Sequence, residues 1–100
     1  MAEKIMNSYE TIFIIDASLE EDTIKALQEK FVGLISSNGA VESVDEWGKR
    51  RLAYAIDDKN EGYYVLVNFK ADNEFPKELD RQYRINDSIL RTIIIRKDEE

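Results

Sequence analysis

The sequence predicts an α+β domain in which two helices cover one face of a four-stranded sheet. Segments with strand composition and segments with helical periodicity alternate in the order β-α-β-β-α-β. The chain has 100 residues, which suits one domain rather than two. Apolar residues make up 43% of it, so a core of ordinary size can be buried. We expect one domain over residues 1–97 and a short acidic tail over residues 98–100.

The first strand and the first helix are predicted from composition and from a capping pattern. Residues Tyr9–Ile15 are mostly β-branched or aromatic, which is typical of a strand. Ser18 followed by Glu21 fits a capping box at a helix start. Apolar residues then recur at steps of three and four as far as Gly39, which we expect to end the helix in a left-handed conformation. The helix is predicted over about residues 19–37.

The next two strands are predicted to form an antiparallel hairpin. Residues 41–56 have the composition of a long strand, with Gly48 as a bulge or bend. Residues Asp57–Gly62 form a polar segment of hairpin-loop length, and Tyr63–Phe69 resumes as a strand.

A second helix and a fourth strand complete the pattern. Asn73 is predicted as the helix cap, and Pro76 falls in the first turn, where its missing N–H costs nothing. Residues Asn86–Ser88 end the helix, and Ile89–Arg96 has strand composition. One stripe of the helix carries the apolar residues Phe75, Leu79 and Tyr83.

Two right-handed strand-helix-strand crossovers would place both helices on one face of the sheet, which is the ferredoxin-like sandwich. Alternation along the strands predicts which side chains lie on the uncovered face. The fourth strand is ambiguous, because either face would leave isoleucine exposed. The outward residues are Glu10, Ile12 and Ile14 of the first strand and Tyr64, Leu66 and Asn68 of the third.

Isoleucines and a leucine on that uncovered face predict a docking surface. Ile12, Ile14 and Leu66, with Ile93 from the fourth strand, would form an apolar patch of the kind that marks interaction sites on monomers. The alternative is a half-polar sheet face with scattered isoleucines and no binding role.

Charge and composition exclude most enzyme classes. The chain lacks cysteine and histidine, so disulfides, thiol nucleophiles and imidazole chemistry are absent. Asp16-Ala17-Ser18, after the first strand, has neither the glycines nor the arginine of a phosphate-binding loop. We therefore expect no catalysis, no cofactor and no metal site. Without an apolar leader or a membrane-spanning run, we expect a cytoplasmic protein.

The net charge of −7 argues against unspecific adhesion to nucleic acid, so RNA contact would need a local basic surface. Lys49, Arg50 and Arg51 form a cationic run flanked by Trp47 and Tyr54. Cations beside aromatic faces favour looped or single-stranded RNA. The alternative is an edge strand that uses charge to resist aggregation. A second group of cations, including Arg84, Arg91 and Arg96, spreads over the second helix and the fourth strand.

An RNA-recognition-type module is the runner-up interpretation, because it shares this strand order. The segment Glu61–Val67 resembles the signature of its third strand in part. Glu61 stands where a cation is wanted, and Tyr64 stands where a small residue is wanted.

Four segments together resemble the bacterial ribosomal protein S six family. They are Tyr9–Ile15, the block Gly48-Lys-Arg-Arg-Leu-Ala-Tyr-Ala-Ile56, Gly62–Val65 and Leu79–Arg91. The resemblance covers residues 9 to 96. It implies a non-catalytic protein of the small ribosomal subunit that binds 16S rRNA together with a small basic neighbour, ribosomal protein S eighteen.

On that basis, two sets of site residues are predicted. The RNA-binding set combines five cations with three aromatic residues that either stack on bases or pack. It comprises Lys49, Arg50, Arg51, Tyr54, Arg91, Arg96, Tyr9 and Tyr64. The set for the protein partner comprises Ile12, Ile14, Trp47 and Leu66.

Overall fold

The computed structural model describes residues 7–56 and 59–97, and the side chains of residues 7–51 and 61–97. The elements follow the predicted order. They are β1 (Asn7–Asp16), α1 (Glu21–Asn38), β2 (Gly39–Ile56), β3 (Lys59–Ala71), α2 (Phe75–Arg84) and β4 (Ile89–Arg96). The predicted acidic tail, residues 98–100, lies outside the described residues.

The four strands form one antiparallel sheet in the order β2-β3-β1-β4, which confirms the ferredoxin-like architecture. β1 and β3 are central, so β2 and β4 are the edges. The pairing of β1 with β3 ends where Asp16 lies opposite Gly62. β2 and β3 continue beyond this point as a two-stranded arm.

The core lies between the helices and one face of the sheet. Val65, Val67 and Phe69 alternate along β3 and are fully buried, as predicted. Apolar side chains from α1 and α2 fill the other half of this layer. The buried stripe of α1 is Ile24, Phe31 and Ile35, and that of α2 is Phe75, Leu79 and Tyr83.

Three aromatic rings join the two helices to β1. The Phe31 ring centroid lies 4.8 Å from that of Tyr83 and 5.6 Å from that of Phe13. The hydroxyls of Thr11 and Tyr83 share a hydrogen bond of 3.1 Å, which satisfies a phenol that would otherwise be buried alone. Burial raises the pKa of Tyr83.

The predicted capping box at Ser18 is wrong. The Ser18 hydroxyl donates to Asp16 Oδ1 at 2.7 Å, and the Ser18 N–H donates to the same oxygen at 2.9 Å. Glu20 is the N-cap and makes no side-chain capping hydrogen bond. The Asp16 carboxylate closes a local turn and takes the serine away from the helix.

Gly39 does not end α1 in a left-handed conformation, so that prediction is also wrong. Its φ is −172°, and it is the first residue of β2. A Cβ at this position would lie 2.0 Å from the carbonyl oxygen of Lys70 on β3. Glycine is therefore needed for the close approach of two strands. At the helix end, Asn38 Nδ2 donates to the Leu34 carbonyl at 2.9 Å.

The start of α2 uses a different cap from the one predicted. Asp72 Oδ1 accepts hydrogen bonds from the N–H groups of Glu74 at 2.9 Å and Phe75 at 3.0 Å. The carboxylate thus does what Asn73 was predicted to do. Pro76 lies in the first turn, as predicted.

The β2–β3 hairpin is longer than predicted. β3 begins at Lys59, so most of the segment expected to be a loop is strand, and residues 57–58 lie outside the described part of the chain. Gly48 has φ 82° at a register shift between β2 and β3, which confirms the predicted bulge.

Candidate binding surface

The sheet face opposite the helices, called here the open face, is organised in cross-strand rows. Directly paired residues on adjacent strands point to the same side of a sheet. The middle row runs from β4 to β2 through Ile93, Ile12, Leu66 and Asp45. Three of its four positions are apolar. The open face therefore carries an apolar strip across three of its four strands, β4, β1 and β3.

The same pairing resolves the ambiguity of β4. Thr92 lies opposite Phe13, and Ile94 packs against the core, so both face the helices. Ile93 and Ile95 face the open side and are 49% and 47% exposed. Large apolar side chains with half their surface in water are candidates for contact with a partner.

The predicted partner residues differ in exposure. Ile12 and Leu66 are half-buried members of the middle row, and Trp47 is 38% exposed at the β2 edge. Ile14 is only 7% exposed, although it is absent from the helix-side core. It lies between Tyr64 and Arg91 on the neighbouring strands, and long side chains on both sides cover it. Ile14 thus supports the surface and presents little of it.

One end of the open face, called here the aromatic end, consists of Trp47, Tyr64, Arg50 and Arg91. The rings of Trp47 and Tyr64 stack with centroids 6.1 Å apart and planes 15° from parallel. The Arg50 guanidinium lies 5.7 Å above the Trp47 ring. The Trp47 indole N–H donates to Asp45 Oδ2 at 3.0 Å, which fixes the ring against the strand.

The bulge at Gly48 places this stack. Strict alternation fails where β2 shifts register between Glu46 and Gly48, so Trp47 can reach over Tyr64 on the open face. On the other side of the sheet, Glu46 accepts hydrogen bonds from Gln28 of α1 and from the Tyr63 hydroxyl. Burial, with the nearby Glu46 carboxylate, raises the pKa of Tyr63. α1 thus braces the bulged part of β2 from behind.

The basic run of β2 does not present a single surface. Arg50 stands over Trp47 on the open face, whereas Lys49 lies opposite Tyr63, whose ring packs against the helix-side core. Arg51 lies opposite Glu61 in the two-stranded arm, beyond the end of β1. Of the three cations, only Arg50 belongs to the aromatic end.

The three tyrosines of the RNA-binding prediction have different environments. Tyr64 is half-buried in the stack with Trp47. Tyr9 is 5% exposed and stacks on Phe69 in the core at 5.6 Å, which corrects its assignment to RNA and leaves the packing role. The side chain of Tyr54 lies outside the described residues.

The two cations of β4 lie on opposite faces. Arg91 shares a row with Ile14 and Tyr64 on the open face. Arg96 lies opposite Tyr9 on the helix side, and its Nη2 donates to Asn7 Oδ1 at 3.1 Å. Arg91 therefore joins the aromatic end, and Arg96 belongs to a separate surface.

Sequence reasoning placed Asn68 outward, left Ile95 ambiguous and missed Asp45 and Ser43. At the other end of the open face, one row comprises Ile95, Glu10, Asn68 and Ser43. Asn68 Nδ2 donates to Ser43 Oγ at 2.9 Å, and Lys97 Nζ, from just after β4, donates to Asn68 Oδ1 at 2.7 Å. The register shift between Val41 and Ser43 hid the β2 members, because it breaks the period of two. The open face thus grades from aromatic and cationic through apolar to polar.

The open face carries side chains of types that are suited to binding. Within residues 7–56 and 59–97, no cluster of three or more acidic side chains could hold a metal ion. In the same part of the chain, no helix is both long enough and apolar enough to cross a membrane. Stacked rings, guanidinium groups and an exposed apolar strip suit contacts with macromolecules.

Comparison with known proteins relates the whole domain to one family. The family model described as Ribosomal protein S6 matches residues 8–96. Small ribosomal subunit protein bS6 of Clostridium perfringens is 55% identical over 95 residues, which cover 94% of this chain and all of the relative. The bS6 protein of Clostridium acetobutylicum is 58% identical over 91 residues, covering 90% of this chain and 96% of the relative.

A solved structure gives the same result in three dimensions. The crystal structure of 30S ribosomal protein S6 from Thermotoga maritima superposes with a TM-score of 0.88 at 30% sequence identity. The superposition covers 93% of this chain and 89% of the Thermotoga chain. The chain therefore belongs to the ribosomal protein S6 family, structural and non-enzymatic components of the small ribosomal subunit in the cytoplasm.

Proposed function

We propose that this chain binds 16S rRNA as a pair with ribosomal protein S eighteen. In this proposal the apolar strip of the open face docks the protein partner, and the aromatic end contacts RNA. The observation that carries the proposal is the sheet face without helices, on which Ile93 and Ile95 are about half exposed. Because the chain belongs to a small-subunit ribosomal protein family, rRNA and other ribosomal proteins are the expected partners.

The contrast between the two faces supports protein docking. The helix side buries Val65, Val67 and Phe69 of β3 completely. The open side leaves Ile12 and Leu66 partly exposed and Ile93 about half exposed. Covering these side chains with a partner would remove apolar surface from water, which is the main driving force of association. Trp47 lies at the edge of the apolar strip, and tryptophan is among the residue types that most often dominate binding energy.

The aromatic end supports RNA contact at one edge of the docking surface. Arg50 can contact phosphate while its guanidinium stays against the Trp47 ring. The Trp47–Tyr64 stack is aromatic surface of the kind that unpaired bases can extend by stacking.

The net charge of −7 limits what this chain can do alone on RNA. A basic partner docked beside the aromatic end would add cations next to Arg50 and Arg91. Joining two weak RNA binders raises the effective concentration of each at the RNA, so the pair binds cooperatively.

The docking part is tested with a matched pair of isoleucine variants. Ile93→Asp places a carboxylate in the apolar strip, and Ile85→Asp places one just past the end of α2, where Ile85 is 64% exposed. We expect Ile93→Asp to weaken the heterodimer by at least about 2 kcal/mol, or roughly 30-fold in Kd, and Ile85→Asp to leave it unchanged. Titration calorimetry with purified ribosomal protein S eighteen measures both. Equal affinities for the two variants would refute docking on the open face.

The RNA part is tested by the salt dependence of binding. Arg50→Ala is compared with Lys25→Ala, which removes an exposed cation of α1. If Arg50 contacts a phosphate, the slope of log K against log salt for the heterodimer on a 16S rRNA fragment falls by about one, and Lys25→Ala leaves it unchanged. An unaltered slope for Arg50→Ala would remove Arg50 from the RNA interface.

The Trp47–Tyr64 stack also favours the second candidate function, a free RNA-recognition-type module, because such modules stack bases on their sheet. Sedimentation of the native protein from cell extract separates the two. Stable travel with small subunits supports the ribosomal role. A pool that is free or bound to messenger RNA supports the alternative.

A further inference from the structure

A second surface, on the helix side of the β4 edge, belongs to neither role described above. Two cavities of about 430 Å³ and 180 Å³ lie between α2 and β4, and Thr92 lines both. Because they share Thr92, the two cavities are adjacent along the strand, and together they are called here the α2–β4 groove. Pro76 and Ile94 supply apolar lining in the larger cavity, and Leu90 does so in the smaller one.

Cations dominate the charge of this groove. Lys77 and Arg96 line the larger cavity, and Arg84 lines the smaller one. Arg91 also borders the smaller cavity, but the register places its side chain on the open face. The single carboxylate among the lining residues is Asp80, and it forms a 2.9 Å ion pair with Arg84. A groove with cations at both ends, in a chain whose net charge is −7, is complementary to an acidic ligand.

The backbone of β4 supplies a second element of recognition. The Lys97 N–H donates to the Ser8 carbonyl at 2.8 Å, and the register places Tyr9 opposite Arg96. Hydrogen-bonded and non-bonded pairs alternate along an antiparallel ladder. The backbone N–H and C=O groups of Thr92, Ile94 and Arg96 therefore point away from β1. Within the described residues, β4 pairs with β1 alone.

The residues whose backbone groups point outward from the β4 edge also line the groove. Thr92, Ile94 and Arg96 direct their side chains into the larger cavity and their polar backbone atoms along the edge. A strand added beside β4 would bond to these three residues, and its own side chains opposite them would enter the groove.

We propose that the β4 edge and the α2–β4 groove bind an extended acidic peptide of another protein by strand addition. Two apolar side chains of the peptide lie over Thr92 and Ile94. Acidic side chains flank them, one toward Lys77 and Arg96 and one toward Arg84. This proposal is independent of the open face, so it stands or falls separately from the proposed function.

Two other occupants fit the groove less well. RNA carries no ladder of N–H and C=O groups to match the edge strand, and its phosphates would leave the apolar lining uncovered. A second copy of this chain, paired antiparallel through β4 about Ile94, would place Thr92 opposite Arg96 of the other copy. β4 itself carries no acidic side chain, so a second copy would bring no carboxylate from this strand to the cations of the groove.

The test is a titration of the isotopically labelled full chain with the capped peptide Glu-Thr-Val-Thr-Val-Thr-Glu, followed by amide NMR. We expect the largest shifts at the amides of Thr92, Ile94 and Arg96. A peptide with both glutamates replaced by lysine, and one with both valine nitrogens methylated, should not bind. Lys77→Glu should weaken binding about tenfold, and Lys25→Glu, the same charge change on α1, should leave it unchanged.

Several outcomes would overturn the proposal. Equal weakening by Lys77→Glu and Lys25→Glu would mean unspecific charge attraction. Full affinity of the N-methylated peptide would exclude strand addition. Binding of oligouridylate at these amides with no response to the acidic peptide would assign the groove to RNA. Self-association at these amides as protein concentration rises, with no effect of the peptide, would assign the edge to a second copy.

Discussion

Replacing Gly39 with alanine tests whether the close approach of β2 to β3, just after α1, requires glycine. The φ of −172° is accessible to any residue, so the substitution introduces no strain in the backbone dihedral angles. The added Cβ would lie 2.0 Å from the Lys70 carbonyl oxygen and 3.1 Å from the Ala71 Cβ. Relief requires β2 and β3 to separate locally by about 1 Å, since Cβ contacts under 3.0 Å essentially never occur. The whole cost of the change is therefore steric.

We expect Gly39→Ala to lower the free energy of unfolding by about 3 kcal/mol, the upper range for overpacking against a backbone that cannot yield. For a domain of this size the loss corresponds to a Tm lower by about 12–24 °C. Thermal and urea unfolding followed by circular dichroism measure both quantities.

Gly33 in α1 provides the matched control, because a Cβ there meets nothing within 4 Å. Gly33→Ala should raise the free energy of unfolding by about 0.5–1 kcal/mol through helix propensity. If Gly39→Ala changes stability by less than about 0.5 kcal/mol, the close approach of β2 and β3 is not what requires glycine.

Three further predictions concern the helix layer. Phe31→Ala should cost about 3–5 kcal/mol in urea unfolding, because the fully buried ring contacts Phe13 and Tyr83; a loss under about 1 kcal/mol would contradict this packing. The folded state raises the pKa of Tyr83, so the free energy of unfolding should hold below about pH 10 and fall as the pH rises further. Tyr83→Phe should reduce that fall, and an identical pH profile for the variant would rule Tyr83 out as the cause. Hydrogen bonds from Arg81 and Gln82 lower the pKa of Glu78 to about 2. In Arg81→Ala, the pKa of Glu78 measured by carboxyl NMR titration should return toward its ordinary value. An unchanged pKa would show that the Arg81–Glu78 pair does not form in solution.

The fold could be predicted from local patterns because its elements agree with their intrinsic preferences. β4 has the predicted bounds, Ile89–Arg96, because an isoleucine-rich segment lies between a turn and charged residues. The buried stripe of α2 follows from spacing alone. Where the prediction failed, at Ser18 and Asn73, a nearby aspartate made the competing hydrogen bonds. Near a helix start the sequence contains several side chains that could accept these hydrogen bonds, and the sequence alone does not show which of them does.

The candidate site could be predicted only in part. The outward set of β3 was correct, because strict alternation holds along a regular central strand. Along β2, two register shifts move Asp45 and Trp47 onto the open face, and only Gly48 signalled one of them. The low exposure of Ile14 depends on long neighbours across two strands. Cross-strand neighbours become known only when the register is known.

We propose that the open face, and not the helix side, receives the protein partner. Isoleucine methyl NMR distinguishes the two sides, because Ile12, Ile93 and Ile95 lie on the open face while Ile24 and Ile35 lie in the core. On addition of ribosomal protein S eighteen, we expect large methyl shifts for the first three residues and small ones for the two core residues. Unchanged signals from Ile12, Ile93 and Ile95 in a fully formed heterodimer would contradict it.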